Sequence, residues 1–236
     1  MITCLGDALF PRVGVAAVRV LRWLGVDVDF PAEQVCCGQP AFNSGYRDEA
    51  RTSARAYLRA FADSEHVVSI SGSCAAMVRR HYPELFAGRP EEAAARDLAA
   101  RSYEFSQFLV DVLGVTELPV RYEARATFHH SCHTRRLLGV VEQPERLLGM
   151  IEGLEYVPLP RAEECCGFGG TFAVKMPIIS SSLVDDKVDC VLQTGADLLV
   201  GLDMSCLMNI AGRARRRGAT LCVKHLAEVL AEGWQQ

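Results

Sequence analysis

The stretches Cys36-Cys37-Gly38-Gln39-Pro40 and Cys165-Cys166-Gly167-Phe168-Gly169 decide the fold, because they mark a sequence that occurs twice in the chain. A lone cysteine precedes each Cys-Cys-Gly, and a Ser-Cys dipeptide follows it. The matching pairs are Cys4 and Cys132, Cys36 and Cys165, Cys37 and Cys166, and Cys74 and Cys206, at offsets of 128, 129, 129 and 132 residues. Eight of the ten cysteines therefore fall on one internal repeat.

Each copy alternates predicted strands and helices. In the first copy we expect strands at 2–4, 26–30 and 67–71, with helices from Pro11, across 50–61 and from Gly72. The second copy has predicted strands at 126–130, 198–202 and 220–223, and amphipathic segments at 105–113 and 225–230 close the two copies. This alternation predicts an α/β fold: two tandem βα domains, related by a pseudo-twofold axis, with mainly parallel sheets.

The predicted boundary between the domains lies within 116–125, where Pro119 and mixed polar residues interrupt the pattern. The predicted domains are residues 1–118 and 119–236. An Ala-, Glu- and Arg-rich helical insertion at 88–101 distinguishes the first copy from the second.

The repeated cysteines are predicted to form two pockets. Loops that follow parallel strands lie along one edge of a sheet, so cysteines that follow different strands converge there. The first pocket comprises Cys4, Cys36, Cys37 and Cys74, and the second pocket comprises Cys132, Cys165, Cys166 and Cys206.

Thiol chemistry at these pockets favours a metal centre. The glycine after each vicinal pair permits a tight turn that brings both sulfurs to one side. Cys74 and Cys206 stand where a strand gives way to a helix, whose N-terminus favours a thiolate. Four thiolates in one pocket need a compensating cation, which an iron–sulfur cluster or zinc supplies. Zinc sites usually use Cys-x-x-Cys, so vicinal pairs favour iron–sulfur; metal-free thiol chemistry stays open.

Composition narrows the class of protein. Half of the 236 residues are hydrophobic, which is enough for a packed core. The 25 basic and 29 acidic residues give a net charge of −4, which argues against nonspecific nucleic-acid binding. We see no secretory signal and no transmembrane segment, so we expect a cytoplasmic protein with reduced thiols; peripheral membrane contact stays open.

The two Cys-Cys-Gly segments, Cys-Cys-Gly-Gln-Pro-Ala-Phe-Asn-Ser-Gly at 36–45 and Cys-Cys-Gly-Phe-Gly-Gly-Thr-Phe at 165–172, resemble the paired cysteine-rich CCG domains. These domains occur in heterodisulfide reductase, in the glycolate oxidase iron–sulfur subunit and in the lactate-utilisation protein A family, and the resemblance is closest to the last. It covers nearly the whole chain. It implies that the ligands of an iron–sulfur cofactor are Cys4, Cys36, Cys37, Cys74, Cys132, Cys165, Cys166 and Cys206.

One departure from the heterodisulfide reductase pattern concerns the cluster type. That pattern ends each copy with Cys-x-x-Cys, but Met77 and Asn209 stand at the last positions here. Each copy therefore offers four cysteines, which suits an ordinary [4Fe-4S] cluster, one or two per chain, better than a noncubane cluster.

The resemblance implies an iron–sulfur electron-transfer subunit of a complex that oxidises L-lactate to pyruvate. Such an oxidoreductase subunit acts only with partners, the other lactate-utilisation subunits, which include an iron–sulfur protein. A thiol/disulfide oxidoreductase that uses the vicinal cysteines is the alternative, and a non-enzymatic metal or scaffold module is a third.

Five residues outside the repeat also bear on the site. His129, His130 and His133 flank Cys132; they are either polar residues at the rim of the pocket, or they ligate a metal or hydrogen-bond a cluster sulfur. Cys190 and Cys222 have no repeat partner, so we expect both to pack as buried free thiols.

Overall fold

The computed structural model describes residues 1–235. The helices are α1 (Cys4–Leu9), α2 (Pro11–Trp23), α3 (Gln39–Asn43), α4 (Arg47–Ala60), α5 (Gly72–Ala76), α6 (Tyr82–Leu85), α7 (Glu92–Ala100), α8 (Phe105–Gln107), α9 (Glu142–Gly149), α10 (Phe172–Lys175), α11 (Pro177–Gln193), α12 (Met204–Arg216) and α13 (Leu226–Gly233). The strands are β1 (Val67–Ser69), β2 (Ser102–Glu104), β3 (Arg121–His129), β4 (Glu152–Tyr156), β5 (Leu198–Gly201) and β6 (Cys222–His225). Wider π-helical turns span Met77–His81, Phe108–Val112 and Thr134–Leu138.

Every strand pairing within these sheets is parallel. The second half forms a four-stranded sheet in the order β4-β3-β5-β6, with Ala126 opposite both Tyr156 and Leu198. The first half contributes the two-stranded sheet β1-β2, with Val67 opposite Ser102. The predicted α/β class with parallel sheets is confirmed, and so is the helical insertion, which appears as α7.

Two strands predicted in the first half do not form. Residues 2–4 lead directly into α1, and the alternating segment 26–30 has irregular backbone. The corresponding strand of the second half, β3, pairs with a strand on each side. In the first half the amino group of Met1 donates one hydrogen bond to the carbonyl of Val68 (2.7 Å), and no strand pairing continues from it. The segment 26–30 therefore has no neighbouring strand to pair with. A groove of about 1450 Å³ lies along this side of β1.

The two halves share a continuous hydrophobic core. The larger cluster of buried side chains runs from Val13 in α2 to Leu230 in α13. Trp23 and Trp234 stack with ring centroids 5.0 Å apart, and His225 Nε2 lies 2.9 Å from the carbonyl of Ile70. A boundary at residue 118 stays a prediction, and β3 already begins inside the predicted boundary segment 116–125.

Candidate metal centre

The first pocket brings four thiols from three parts of the chain together. Cys4 opens α1, Cys36 and Cys37 lie in the loop before α3, and Cys74 lies in the first turns of α5. The side chains lie next to one another in the order Cys4, Cys36, Cys37, Cys74, and neighbouring thiols are close enough to shift each other's pKa. Cys4 is exposed and Cys36 is half-buried, whereas Cys37 and Cys74 are buried.

The second pocket repeats this arrangement. Cys132 follows β3, the pair Cys165 and Cys166 lies in the loop after β4, and Cys206 lies in the first turn of α12. The same series of thiol contacts runs from Cys132 through Cys165 and Cys166 to Cys206. The structure therefore brings all eight predicted cysteines into two groups of four, and their role as ligands stays a prediction.

A left-handed glycine follows each vicinal pair. Gly38 has φ 81° and Gly167 has φ 79°, a region that L side chains rarely adopt. Each glycine also lies against a longer helix: a Cβ on Gly38 would lie 3.1 Å from the carbonyl oxygen of Ala50 in α4, and one on Gly167 would lie 2.5 Å from that of Ser180 in α11. The turn and the close helix contact together explain why glycine occupies both positions.

One thiol in each pocket is biased towards the ionised form. Hydrogen bonds from Cys37 and Cys4 lower the pKa of Cys36, and the N–H of Gly38 adds to the effect. Hydrogen bonds from Cys132 and Cys166 likewise lower the pKa of Cys165, helped by the Gly167 N–H 3.3 Å from its sulfur. One thiolate per pocket thus accepts hydrogen bonds from its neighbours.

Two further thiols in each pocket have raised pKa values. The hydrogen bond to Cys36 raises the pKa of Cys4 and of Cys37, and burial adds to both effects. The corresponding bond to Cys165 and burial raise the pKa of Cys132 and of Cys166. Additional thiolates are therefore unfavourable without a cation, and a bound metal provides one.

The predicted preference of Cys206 for the thiolate is wrong. The hydrogen bond with Cys166 does lower the pKa of Cys206, but burial and the nearby carboxylate of Asp203 outweigh it, and the net shift is upward. Asp203 is the N-cap residue of α12. Its negative charge therefore offsets the stabilisation that the N-terminus of α12 would give to a Cys206 thiolate.

A different polar side chain fixes the second cysteine of the pair in each pocket. The hydroxyl of Tyr82 donates to the carbonyl of Cys37 (3.0 Å), whereas the amide of Asn209 donates to the carbonyl of Cys166 (2.8 Å). Asn209 stands at one of the two positions where the heterodisulfide reductase pattern has its last cysteine. We identified Asn209 in the sequence only as a missing cysteine, and nothing in the sequence pointed to Tyr82.

The two pockets also differ in polarity. Lys187 is fully buried in α11, donates to the carbonyl of Arg161 (2.8 Å) and lies close enough to Cys166 for the charges to interact. The residue at the corresponding repeat position is Leu58, which packs in the core of the first half. The apolar periodicity of α11 gave no signal for a buried lysine.

The histidines do not lie at the rim as a group. His129 and His130 are buried, whereas His133 Nδ1 lies 3.5 Å from the sulfur of Cys132. His130 Nε2 lies 3.0 Å from a carboxylate oxygen of Glu145. Burial lowers the pKa of His129 to about 3, so its imidazole is neutral. A nitrogen of His129 and the sulfurs of Cys166 and Cys206 all lie within 4.8 Å of one another.

The two cysteines outside the repeat have different environments. Cys190 is buried in α11, as predicted. Cys222 is exposed, so the prediction of burial is wrong for this residue. It begins β6, the edge strand of the sheet, where one face of the strand is open to solvent.

The donor set fits an iron–sulfur cluster. Each pocket offers four neighbouring sulfurs, which is the usual number of ligands of a [4Fe-4S] cluster. The orphaned nitrogens of His129 add a donor beside the second pocket. Vicinal cysteines share one turn, so their sulfurs suit neighbouring irons better than one tetrahedral zinc ion.

Comparisons with known proteins agree with the repeat. The profile of the CCG cysteine-rich domain matches residues 1–79 and 126–211. The chain is 53% identical over 229 residues to lactate utilization protein A of Macrococcus caseolyticus, covering 97% of this chain and 93% of that protein. It is 54% identical over 230 residues to the protein of the same name from Geobacillus kaustophilus, covering 97% and 96%. Among the described residues, none of the helices is long and apolar enough to cross a membrane. The chain belongs to the CCG cysteine-rich domain family and, within it, to the lactate utilization protein A family.

Proposed function

We propose that the chain is an iron–sulfur electron-transfer subunit that serves the oxidation of L-lactate to pyruvate in the cytoplasm. The observation that carries the proposal is the grouping of four thiols in each pocket. Cys36 and Cys165 have lowered pKa values, whereas neighbouring thiols and burial raise the pKa of Cys4, Cys37, Cys132 and Cys166, so further ionisation in either pocket needs a cation. The reaction is proposed from the name of the relatives, lactate utilization protein A.

Iron–sulfur clusters supply one-electron transfer over a wide range of reduction potentials. The chain's own part is to hold the ligands. Gly38 and Gly167 turn each cysteine pair, and Tyr82 and Asn209 fix the backbone of its second cysteine. Oxidation of lactate to pyruvate releases two electrons and two protons. We therefore propose that the chain acts with the other lactate-utilisation subunits, including an iron–sulfur protein, which take part in that chemistry.

A thiol/disulfide oxidoreductase is the second candidate function. It is supported by the direct contact of the exposed Cys4 with Cys36, whose pKa the hydrogen bonds from Cys37 and Cys4 lower. A low thiol pKa and solvent access are the marks of reactive cysteines.

Anaerobic purification followed by iron and sulfide analysis separates the two functions. The proposal expects about four irons and four sulfides per pocket and a paramagnetic resonance signal on reduction with dithionite. Protein that is free of iron even after anaerobic reconstitution, with thiols that titrate reversibly to disulfides, would instead establish the second function.

A further inference from the structure

A buried histidine beside the second pocket has no polar partner. The side chain of His129 is only 2% exposed, and neither Nδ1 nor Nε2 has a hydrogen-bond partner. A neutral imidazole carries one N–H donor and one lone-pair nitrogen, so both functions are unmet. Buried polar groups are normally satisfied, and an exception of this kind points to a ligand.

The backbone aims this histidine at the pocket. His129 ends β3 opposite Gly201, the last residue of β5; Cys132 follows β3, Cys206 follows β5, and the pair that contains Cys166 follows β4, the other neighbour of β3. A ring nitrogen and the sulfurs of Cys166 and Cys206 lie within 4.8 Å of one another. One nitrogen and two sulfurs at this spacing can bind to one metal centre after small side-chain adjustments.

The first pocket has a different residue at the corresponding position. The repeat offset of 128 residues places Met1 where the second copy has His129. The sulfur of Met1 accepts a hydrogen bond from the hydroxyl of Ser69 (3.6 Å). The two pockets thus share four cysteines and differ in this fifth group.

We propose that His129 is a nitrogen ligand of the metal centre in the second pocket, on the side of Cys166 and Cys206. The inference rests on the proposed function, because it needs a metal centre there. It makes the two centres chemically different: thiolate ligands alone in the first pocket, thiolates and an imidazole in the second.

The test uses two full-length variants with one intact pocket each. Cys37→Ser/Cys74→Ser keeps the second pocket, and Cys166→Ser/Cys206→Ser keeps the first. Both are labelled with ¹⁵N-histidine, reconstituted anaerobically with iron and sulfide, and reduced. Pulsed electron paramagnetic resonance is expected to show a nitrogen coupling of directly coordinated imidazole in the first variant and none in the second. This comparison leaves His129 unchanged.

Two further substitutions, made in the variant that keeps the second pocket, assign the nitrogen. His129→Leu is expected to abolish the coupling, whereas His133→Leu is expected to keep it, although His133 contacts Cys132. Loss of the coupling in His133→Leu would overturn the assignment of His129, and so would absence of the coupling from a variant whose second pocket holds iron. Neither result would overturn the proposed function. Iron in the first pocket only also overturns that assignment, while absence of iron from both pockets overturns the proposed function.

Discussion

Ser71 and Asp203 occupy corresponding positions in the two copies, and they contact each other. The hydroxyl of Ser71 donates to Asp203 Oδ1 (3.0 Å), and the N–H of Ser73 donates to Oδ2 (3.0 Å). Ser71 is the N-cap residue of α5 and Asp203 is the N-cap residue of α12. Residues related by a twofold axis touch each other only near that axis. The axis of the repeat therefore passes between these two helix N-termini, three residues before Cys74 and Cys206.

We expect Asp203→Asn to destabilise the fold. Asp203 is buried and its carboxylate also accepts a hydrogen bond from Ser205 (2.9 Å). Asparagine removes the charge from these hydrogen bonds, and with its oxygen on the Ser73 N–H the hydroxyls of Ser71 and Ser205 must accept from its amide instead of donating. The expected loss is about 1–3 kcal/mol in the free energy of unfolding, measured by urea denaturation under anaerobic conditions. The exposed Asp27 supplies the control, because Asp27→Asn is expected to change stability by less than about 0.5 kcal/mol. Equal effects at both positions would contradict the role of the Ser71–Asp203 contact.

A second contact across the same junction, between Gly72 and Thr134, requires a glycine. A Cβ on Gly72 would lie 1.7 Å from the hydroxyl oxygen and 2.9 Å from the Cβ of Thr134, so Gly72→Ala must push the two halves apart. We expect a loss of about 1–3 kcal/mol in thermal or urea unfolding. Gly212→Ala in α12 is the matched control, since no atom lies within 4 Å of its added Cβ. It is expected to be neutral or to stabilise by up to about 1 kcal/mol; a neutral Gly72→Ala would show that the junction is loose.

The grouping of the cysteines into two pockets was predictable, because it follows from their positions in the sequence repeat. In the second pocket each cysteine does follow a parallel strand, so the argument from the sheet edge holds there. In the first pocket only Cys74 follows a strand that forms, so Cys4 and Cys36 were placed correctly by their correspondence with Cys132 and Cys165 in the repeat. The segment 26–30 has the alternating apolar and polar residues of a strand. This alternation shows that the segment suits a strand, but it does not show whether a partner strand is present. Its irregular backbone therefore lay beyond a sequence-based prediction.

The polar groups around the pockets were harder to predict, because the two copies use different residues for them. Tyr82 and Asn209 both hold a cysteine carbonyl, yet they do not correspond in the repeat. Lys187 lies in the apolar stripe of a helix and is fully buried there. Such residues are defined by contacts between distant segments, which a one-dimensional pattern does not contain.

Serine substitutions are expected to remove iron from one pocket at a time. Cys166→Ser replaces a central thiol of the second pocket, so about half of the iron per chain should be lost, and Cys37→Ser should have the same effect on the first pocket. Cys190→Ser makes the same chemical change at a buried cysteine in α11. It should lower stability slightly and leave the iron content unchanged. If Cys190→Ser removes the iron as well, the ligand assignment fails.

The stability of the fold is expected to depend on the ionisation of Glu104. Its side chain is fully buried at the end of β2; desolvation raises its pKa to about 7, although hydrogen bonds from Ser106 and Gln107 oppose the shift. Because the folded pKa exceeds the usual value of 4.5, this contribution to stability is fully present below pH 4.5 and is lost as the pH rises through about 7. Between pH 5 and pH 7.5 the loss amounts to about 2 kcal/mol. His225 acts in the opposite direction, since burial lowers its pKa to about 4 and its contribution is lost as the pH falls.

Glu104→Gln isolates this effect, because the difference between wild type and variant cancels the contribution of His225. Glutamine keeps an oxygen for the N–H groups of Ser106 and Gln107 but does not ionise. Urea unfolding at the two pH values should show the variant gaining about 2 kcal/mol on the wild type as the pH rises. Glu117→Gln, at an exposed glutamate, should show no such gain. A difference between wild type and Glu104→Gln that is the same at both pH values would mean that Glu104 stays ionised in the fold, and that the cap formed by Ser106 and Gln107 outweighs its burial.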